Sequence, residues 1–176
     1  MVNVIKFRRE KNMDLSNFDL EDLLLAAIKS ETDSNSFYTK LSKITKNGLL
    51  QDKLLFLAKE EEKHRGFVEE IYMNHYPDKK ISLPQKSPVP LPEVKIEDNE
   101  MPMSSLLDRA MQAEKAASDF YKSLSGRFEK GTKIFNTLLY FSDMEVGHYK
   151  ILEMEKESIE RFEESDVYWP MVHAGP

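Results

Sequence analysis

The chain has 176 residues, enough for one compact domain with a sizeable core. Its formal net charge of -6 argues against a nucleic-acid partner, because a phosphate backbone is neutralised by a basic surface. Cysteine is absent, which excludes disulfides, thiolate zinc sites and iron–sulfur clusters, so any metal here is held by carboxylates and imidazoles.

Residues 1–18 read as an N-terminal tail whose one basic stretch, Lys6-Phe7-Arg8-Arg9-Glu10-Lys11, is too short to change the acidic balance. It carries no apolar signal core, and the apolar run from Leu23 to Ile28 falls far short of the roughly 20 residues of a membrane span, so the expectation is a cytoplasmic protein with no membrane partner. A first helix is predicted from Asp19, an N-cap with Asp22 three residues on, to about Thr45. Its inward stripe is Leu24, Ala27, Ile28, Ser34, Tyr38 and Leu41. Gly48 punctuates the turn, and a second helix runs from about Leu49 to His75, where Tyr76-Pro77 ends it because the residue before proline resists helical geometry. Residues 77–102 hold six of the eight prolines, so this stretch is an extended connection, able at about 3.1 Å per residue to run the length of a bundle. A third helix is expected from Ser104 or Ser105, with Ser105-Leu106-Leu107-Asp108 as a capping box, to about Arg127. Gly131 marks the next turn, and a fourth helix runs from Thr132 to about Phe162, leaving residues 164–176 as a tail that covers the bundle with the single Trp169. Two hairpins joined by a long crossover within residues 19–163 give an all-α, ferritin-like four-helix bundle, and the crossover also permits a domain-swapped homodimer.

The two halves repeat each other. Glu31, five residues, Phe37-Tyr38 matches Glu114, five residues, Phe120-Tyr121 at an offset of 83, and Glu61-x-x-His64 matches Glu145-x-x-His148 at an offset of 84. A single insertion in one helix–helix turn accounts for the difference, so a whole hairpin looks duplicated. Residues three apart on a helix share a side, which lets each Glu-x-x-His pair approach one site. Glu31 and Glu61 are equidistant from position 46, and Glu114 and Glu145 from position 129.5, both inside predicted turns, so each hairpin brings two glutamates and a histidine to one level. These positions lie on the apolar stripes, where an unpaired carboxylate costs several kcal/mol, and no lysine or arginine lies on the same stripes to pair with them. Four carboxylates carry -4 and two divalent cations +4, which predicts two metals with both histidines neutral. An oxygen and nitrogen donor set without sulfur suits iron, with manganese as the other fit. Glu61 and Glu145 are expected to bridge, with Glu31, Glu114, His64 and His148 as terminal ligands and Tyr38 and Tyr121 as hydrogen-bond donors two turns along. Met111 and the other methionines read as core, His75 as a helix C-terminal residue, and His173 as having no ligand partners.

Through Ala-Ile-Lys-Ser-Glu31, Phe37-Tyr38, Leu-Ala-Lys-Glu-Glu61-Glu-Lys-His64, Ala-Glu114 and Met-Glu145-Val-Gly-His148, residues 19–163 resemble the rubrerythrin branch of the ferritin-like superfamily. The resemblance implies a di-iron site that reacts with hydrogen peroxide or dioxygen in defence against oxidative stress, in a homodimer or larger homo-oligomer. Rubrerythrins append a rubredoxin-like domain with four cysteines; this chain has none, so the resemblance implies an external electron donor of rubredoxin type. They also carry an extra glutamate one turn after the third-helix ligand, where this chain has Ala117. That departure makes the site more symmetric and closer to a bacterioferritin or ferritin-like ferroxidase that oxidises or stores iron.

Overall fold

The computed structural model describes residues 13–87, 89, 91–92 and 101–168, with side chains as far as 161. Four helices follow in order: α1 Leu20–Ile44, α2 Gly48–His75, α3 Met103–Ser125 and α4 Lys133–Tyr168. The fold is an all-α four-helix bundle of two hairpins, α1–α2 and α3–α4, and no strand occurs among the described residues.

Helix starts follow the local chemistry in three cases and depart from it in one. Asp19 caps α1, its carboxylate accepting from the Asp22 N–H at 2.8 Å. Asn47 caps α2 by accepting from the Leu50 N–H, so the expected punctuation at Gly48 shifts by one residue and Gly48 is the first helical position. Thr132 accepts from the Phe135 N–H before α4. The Ser105-x-x-Asp108 capping box does not form. The third helix opens at Met103 with Pro102 as its cap residue, and the Ser105 and Leu106 N–H groups donate to the Pro102 carbonyl. Met101 and Met103 pack on the core there, drawing the start back, and proline is tolerated at such a terminus because its missing N–H has no intrahelical partner to lose. Asp108, freed from capping, pairs with Lys156 on α4 at 3.2 Å.

The single-residue insertion expected in one helix–helix turn falls in the α3–α4 turn. Residues 45–47 link α1 to α2, whereas residues 126–132 link α3 to α4, because α3 stops two residues short and α4 starts one residue late in addition to the insertion. Gly131 absorbs it at φ 84, in the left-handed region that a side chain disfavours.

Two apolar clusters divide the interior. One, at the end away from the α1–α2 turn, gathers Leu23, Leu24, Ala27, Ile28, Val68, Ile71, Phe120, Tyr121, Leu124, Leu138 and Phe141. The other gathers Phe37, Tyr38, Leu41, Leu50, Leu54, Leu57, Leu106, Leu107, Ala110 and Leu152, with Met111 against it. Truncating one such leucine to alanine costs about 2–5 kcal/mol. Ser34, placed on the first helix's stripe by periodicity, is only half-buried, as is Ala117 on α3.

Several segments expected as tails or linker contribute packing. Leu15 is buried in the first cluster, and the Arg127 guanidinium donates to the Leu15 and Phe18 carbonyls, fastening this segment to the α3–α4 turn. Val89 of the proline-rich connection is buried in the same cluster. Lys79 of that connection pairs with Glu21 of α1, which also accepts from the Tyr72 hydroxyl at 3.0 Å. His75 closes α2 with its Nδ1 2.9 Å from the Ile71 carbonyl. The fourth helix continues to Tyr168, six residues past its expected end, so Asp166, Val167 and Tyr168 are helical. The basic stretch at residues 6–11, and Trp169 and His173, lie outside the described residues. Among those described, no helix is long and apolar enough to cross a membrane.

Candidate metal centre

All six residues singled out by the repeat converge between the two apolar clusters, one from α1, two from α2, one from α3 and two from α4. Glu31, Glu61, His64, Glu114, Glu145 and His148 are each buried. Their donor atoms form two overlapping groups of four: Glu31, Glu61, His64 and Glu145, and Glu61, Glu114, Glu145 and His148. Glu61 and Glu145 belong to both. His64 Nδ1 lies 2.9 Å from Glu145 Oε1, 3.6 Å from Glu61 Oε2 and 3.8 Å from Glu31 Oε2. His148 Nδ1 lies 3.0 Å from Glu145 Oε2, 3.2 Å from Glu61 Oε1 and 3.5 Å from Glu114 Oε2. The imidazoles stack nearly parallel, 18° apart with centroids 5.8 Å distant.

Proximity here is not hydrogen bonding. Glu61 Oε1, both Glu145 oxygens and the Nδ1 atoms of both histidines are buried without a hydrogen-bond partner, because their close contacts have the wrong alignment for one. Donor atoms gathered together yet not hydrogen-bonded to one another suit a coordinated cation. Orphaned donors and acceptors at this depth otherwise cost about 1–3 kcal/mol each. The residues therefore fit a pair of metal ions.

Without metal, protons must do the balancing. Burial, reinforced by the charge of Glu61, holds the Glu31 carboxyl well above the usual range. Burial with Glu61 and Glu145 does the same to Glu114. Burial also opposes charge on Glu61 and Glu145, but the imidazoles of His148 and His64 outweigh it and hold both below the usual range. Burial disfavours the charged form of His64, yet the Glu145 and Glu61 carboxylates push it up to about 9; His148, beside Glu114, Glu145 and Glu61, is raised as well. In the metal-free centre burial therefore favours the protonated form of Glu31 and Glu114, while the imidazoles favour charge on Glu61 and Glu145. Cations bound by these groups would compete with their protons.

The tyrosines cross between hairpins. Tyr38 on α1 donates to Glu114 Oε1 on α3, and Tyr121 on α3 donates to Glu31 Oε1 on α1. Because α1 and α3 run antiparallel, each tyrosine, seven residues past its own glutamate, comes level with the glutamate of the opposite helix. Burial and that carboxylate raise both phenols well above their ordinary value, so they stay protonated donors.

Sequence reasoning missed a second matched pair. Asn35 on α1 donates to the Ala58 carbonyl on α2 at 2.7 Å, and in the other hairpin Ser142 donates to the Ser118 carbonyl at 2.9 Å. Asn35 and Ser118 are related by the offset of 83, and Ala58 and Ser142 by 84. The repeat relates these positions but not their residue types, so no sequence pattern marked them. Each bond ties two helices together one turn from a ligand residue.

A profile described as Rubrerythrin matches residues 22–156. The chain belongs to the rubrerythrin family. That family is a ferritin-like di-iron family, and the match spans α1 to α4 with every residue of the cluster inside it. A solved structure of a hypothetical protein from Pyrococcus furiosus is similar at 30% identity and a TM-score of 0.75, covering 85% of this chain and 95% of that one. The comparison with curated proteins gave no match. For this rubrerythrin-family chain the half-buried Ala117 leaves the cluster, among the described residues, at six ligand-type residues, with alanine one turn after Glu114.

Proposed function

We propose that Glu31, Glu61, His64, Glu114, Glu145 and His148 bind two iron ions, Glu61 and Glu145 bridging them, and that the protein uses this pair to reduce hydrogen peroxide or dioxygen. The observation that carries the reading is the sharing of Glu61 and Glu145 between two four-residue groups. Manganese satisfies the same donor set. When bound, the two ions supply the two electrons that, with two protons, take hydrogen peroxide to two waters. The chain's own contribution is positional. The tyrosine hydroxyls fix the terminal carboxylates, the interhelical bonds of Asn35 and Ser142 hold each hairpin at ligand depth, and the apolar clusters keep bulk water from both ends. The electrons come from a separate protein of rubredoxin type, and the working form is a homodimer in the cytoplasm, serving defence against oxidative stress.

Stopped-flow oxidation of the anaerobically reduced, iron-loaded protein tests this reading. Oxidation by stoichiometric peroxide much faster than by air-free buffer supports it, and equal rates sink it. A ferroxidase reading is favoured by Ala117, since the absence of a seventh carboxylate leaves the two halves with matched ligands. Turnover of added ferrous iron with retention of far more than two ions per chain would select iron storage.

A further inference from the structure

The two halves of the centre have matched ligands but unequal walls. The His64 ring lies against Phe141, centroids 4.2 Å apart and 34° between planes. Phe141 is 7% exposed, and Phe67 packs edge-on against it at 5.3 Å. Tyr121 stands 6.2 Å away on the same side, and His64 Nε2 is itself buried. His148 meets a different neighbour: Phe56 of α2 stands edge-on at 6.5 Å, and that ring is 48% exposed. The repeat accounts for the sealed side only, since Phe56 has an aromatic counterpart in Tyr140, 61% exposed, for which no ring contact with His64 is seen. The counterpart of Phe141 in the first hairpin is Leu57, so an aromatic seals His64 at a position where the other hairpin has an aliphatic side chain. One turn before Phe56, Lys53 is paired with Glu155 of α4, fixing the α2–α4 seam beside the ring. One turn after it, Glu60 is buried and paired with Lys63 at 2.5 Å.

We propose that Phe56 is a movable cover over the His148 half of the centre, and that divalent cations pass in and out there, through the α2–α4 seam, while the His64 half stays closed. An exposed phenylalanine turns on the ps–ns scale of surface rotamers, whereas Phe141 is held in a packed cluster. A swing of one surface ring opens His148 without unfolding a helix. The inference rests on the two-metal reading above, and it assigns to Phe56 control of exchange, with no role in ligating the ions.

The test uses the full chain loaded with Co2+, whose visible absorption reports the ligand set, and follows extraction by dipicolinate. Phe56→Ala should speed extraction by about tenfold and Phe56→Trp should slow it, with the Co2+ spectrum and the urea midpoint of the metal-free protein unchanged. Phe67→Leu, on the closed side, should lower the urea midpoint but leave extraction within about twofold of the parent. An unchanged rate in Phe56→Ala, or equal acceleration by Phe67→Leu, overturns the cover and points to loss of ions through general loosening of the bundle. Failure of the parent protein to bind Co2+ overturns the two-metal reading and the cover with it, whereas bound Co2+ that leaves at a rate indifferent to Phe56 overturns the cover only.

Discussion

The two hairpins carry the same parts at equivalent positions, yet they surround their histidines differently. Ligand type is matched across the repeat: Glu31 with Glu114, Glu61 with Glu145, His64 with His148. The walls are not, with Phe141 facing His64 and the half-exposed Phe56 beside His148. The constraint on the ligands is charge, because one lost carboxylate leaves a buried centre unbalanced by a full unit. The constraint on the walls is volume, which leucine or phenylalanine can satisfy with local repacking. Duplicated halves therefore keep their chemistry while their packing drifts, and drift in packing is enough to give a symmetric ligand set an open side and a closed one.

The largest effect that would test this comparison is removal of a shared ligand. Glu61→Ala or Glu145→Ala touches both halves, so the protein should fall from two bound ions to fewer than one, whereas Glu31→Ala or Glu114→Ala should retain about one. Equilibrium metal analysis distinguishes them, and the loss at the shared positions should exceed the roughly 10–100-fold that a supporting hydrogen-bond partner is worth. Equal losses at all four positions would mean that the halves do not share their carboxylates.

Next in size is the pH dependence of the metal-free protein. His64 is raised from 6.5 to about 9, so the stability it contributes is fully present below 6.5 and is lost as pH rises through about 9. Glu31 and Glu114, raised by burial, lose stability in the same direction once pH exceeds the usual carboxylate range. Glu61 and Glu145, held low, contribute stability above 4.5 that is lost as pH falls. The thermal midpoint in the presence of chelator should therefore drop between pH 6.5 and 9. The metal-loaded protein, with its imidazoles already neutral, should not follow. A metal-free midpoint that climbs over this range would show that His64 is not held protonated by Glu145 and Glu61.

The smallest effect belongs to the tyrosines. Tyr38→Phe and Tyr121→Phe each remove one hydrogen bond to a terminal carboxylate, and each should weaken metal binding by about tenfold while leaving the stoichiometry at two. Similar losses in competition titrations would show that the halves are equivalent at this level and differ only in their walls. A loss confined to one tyrosine would carry the asymmetry inward to the ligands.

Much of this centre was legible because two independent periodicities met. Helical spacing placed Glu61 with His64, and the repeat placed the same motif again at Glu145 and His148, so depth and face followed without coordinates. Phe56 was not legible, since a phenylalanine on the polar side of α2 has no meaning until α4 is laid beside it. Asn35 was hidden because its acceptor is a backbone carbonyl, which no side-chain pattern marks. The start of α3 was misplaced by a local signal: Ser105-x-x-Asp108 has capping chemistry, but burial of Met101 and Met103 outweighs a cap worth about 1 kcal/mol. The burial of Leu15 and Val89 likewise depended on space left at one end of the bundle, a property of the assembled helices.

The crossed tyrosine bonds make the two hairpins depend on each other. Each hairpin supplies the hydroxyl that orients the other's glutamate, so neither holds its own carboxylate correctly in isolation. Two separate copies of one hairpin, related by a two-fold axis, would make the same pair of bonds between molecules, with the same site at their interface. The present chain has the arrangement of such a dimer, with the proline-rich connection joining the two halves into one polypeptide. A contact that would join two subunits is here a pair of hydrogen bonds inside a single core.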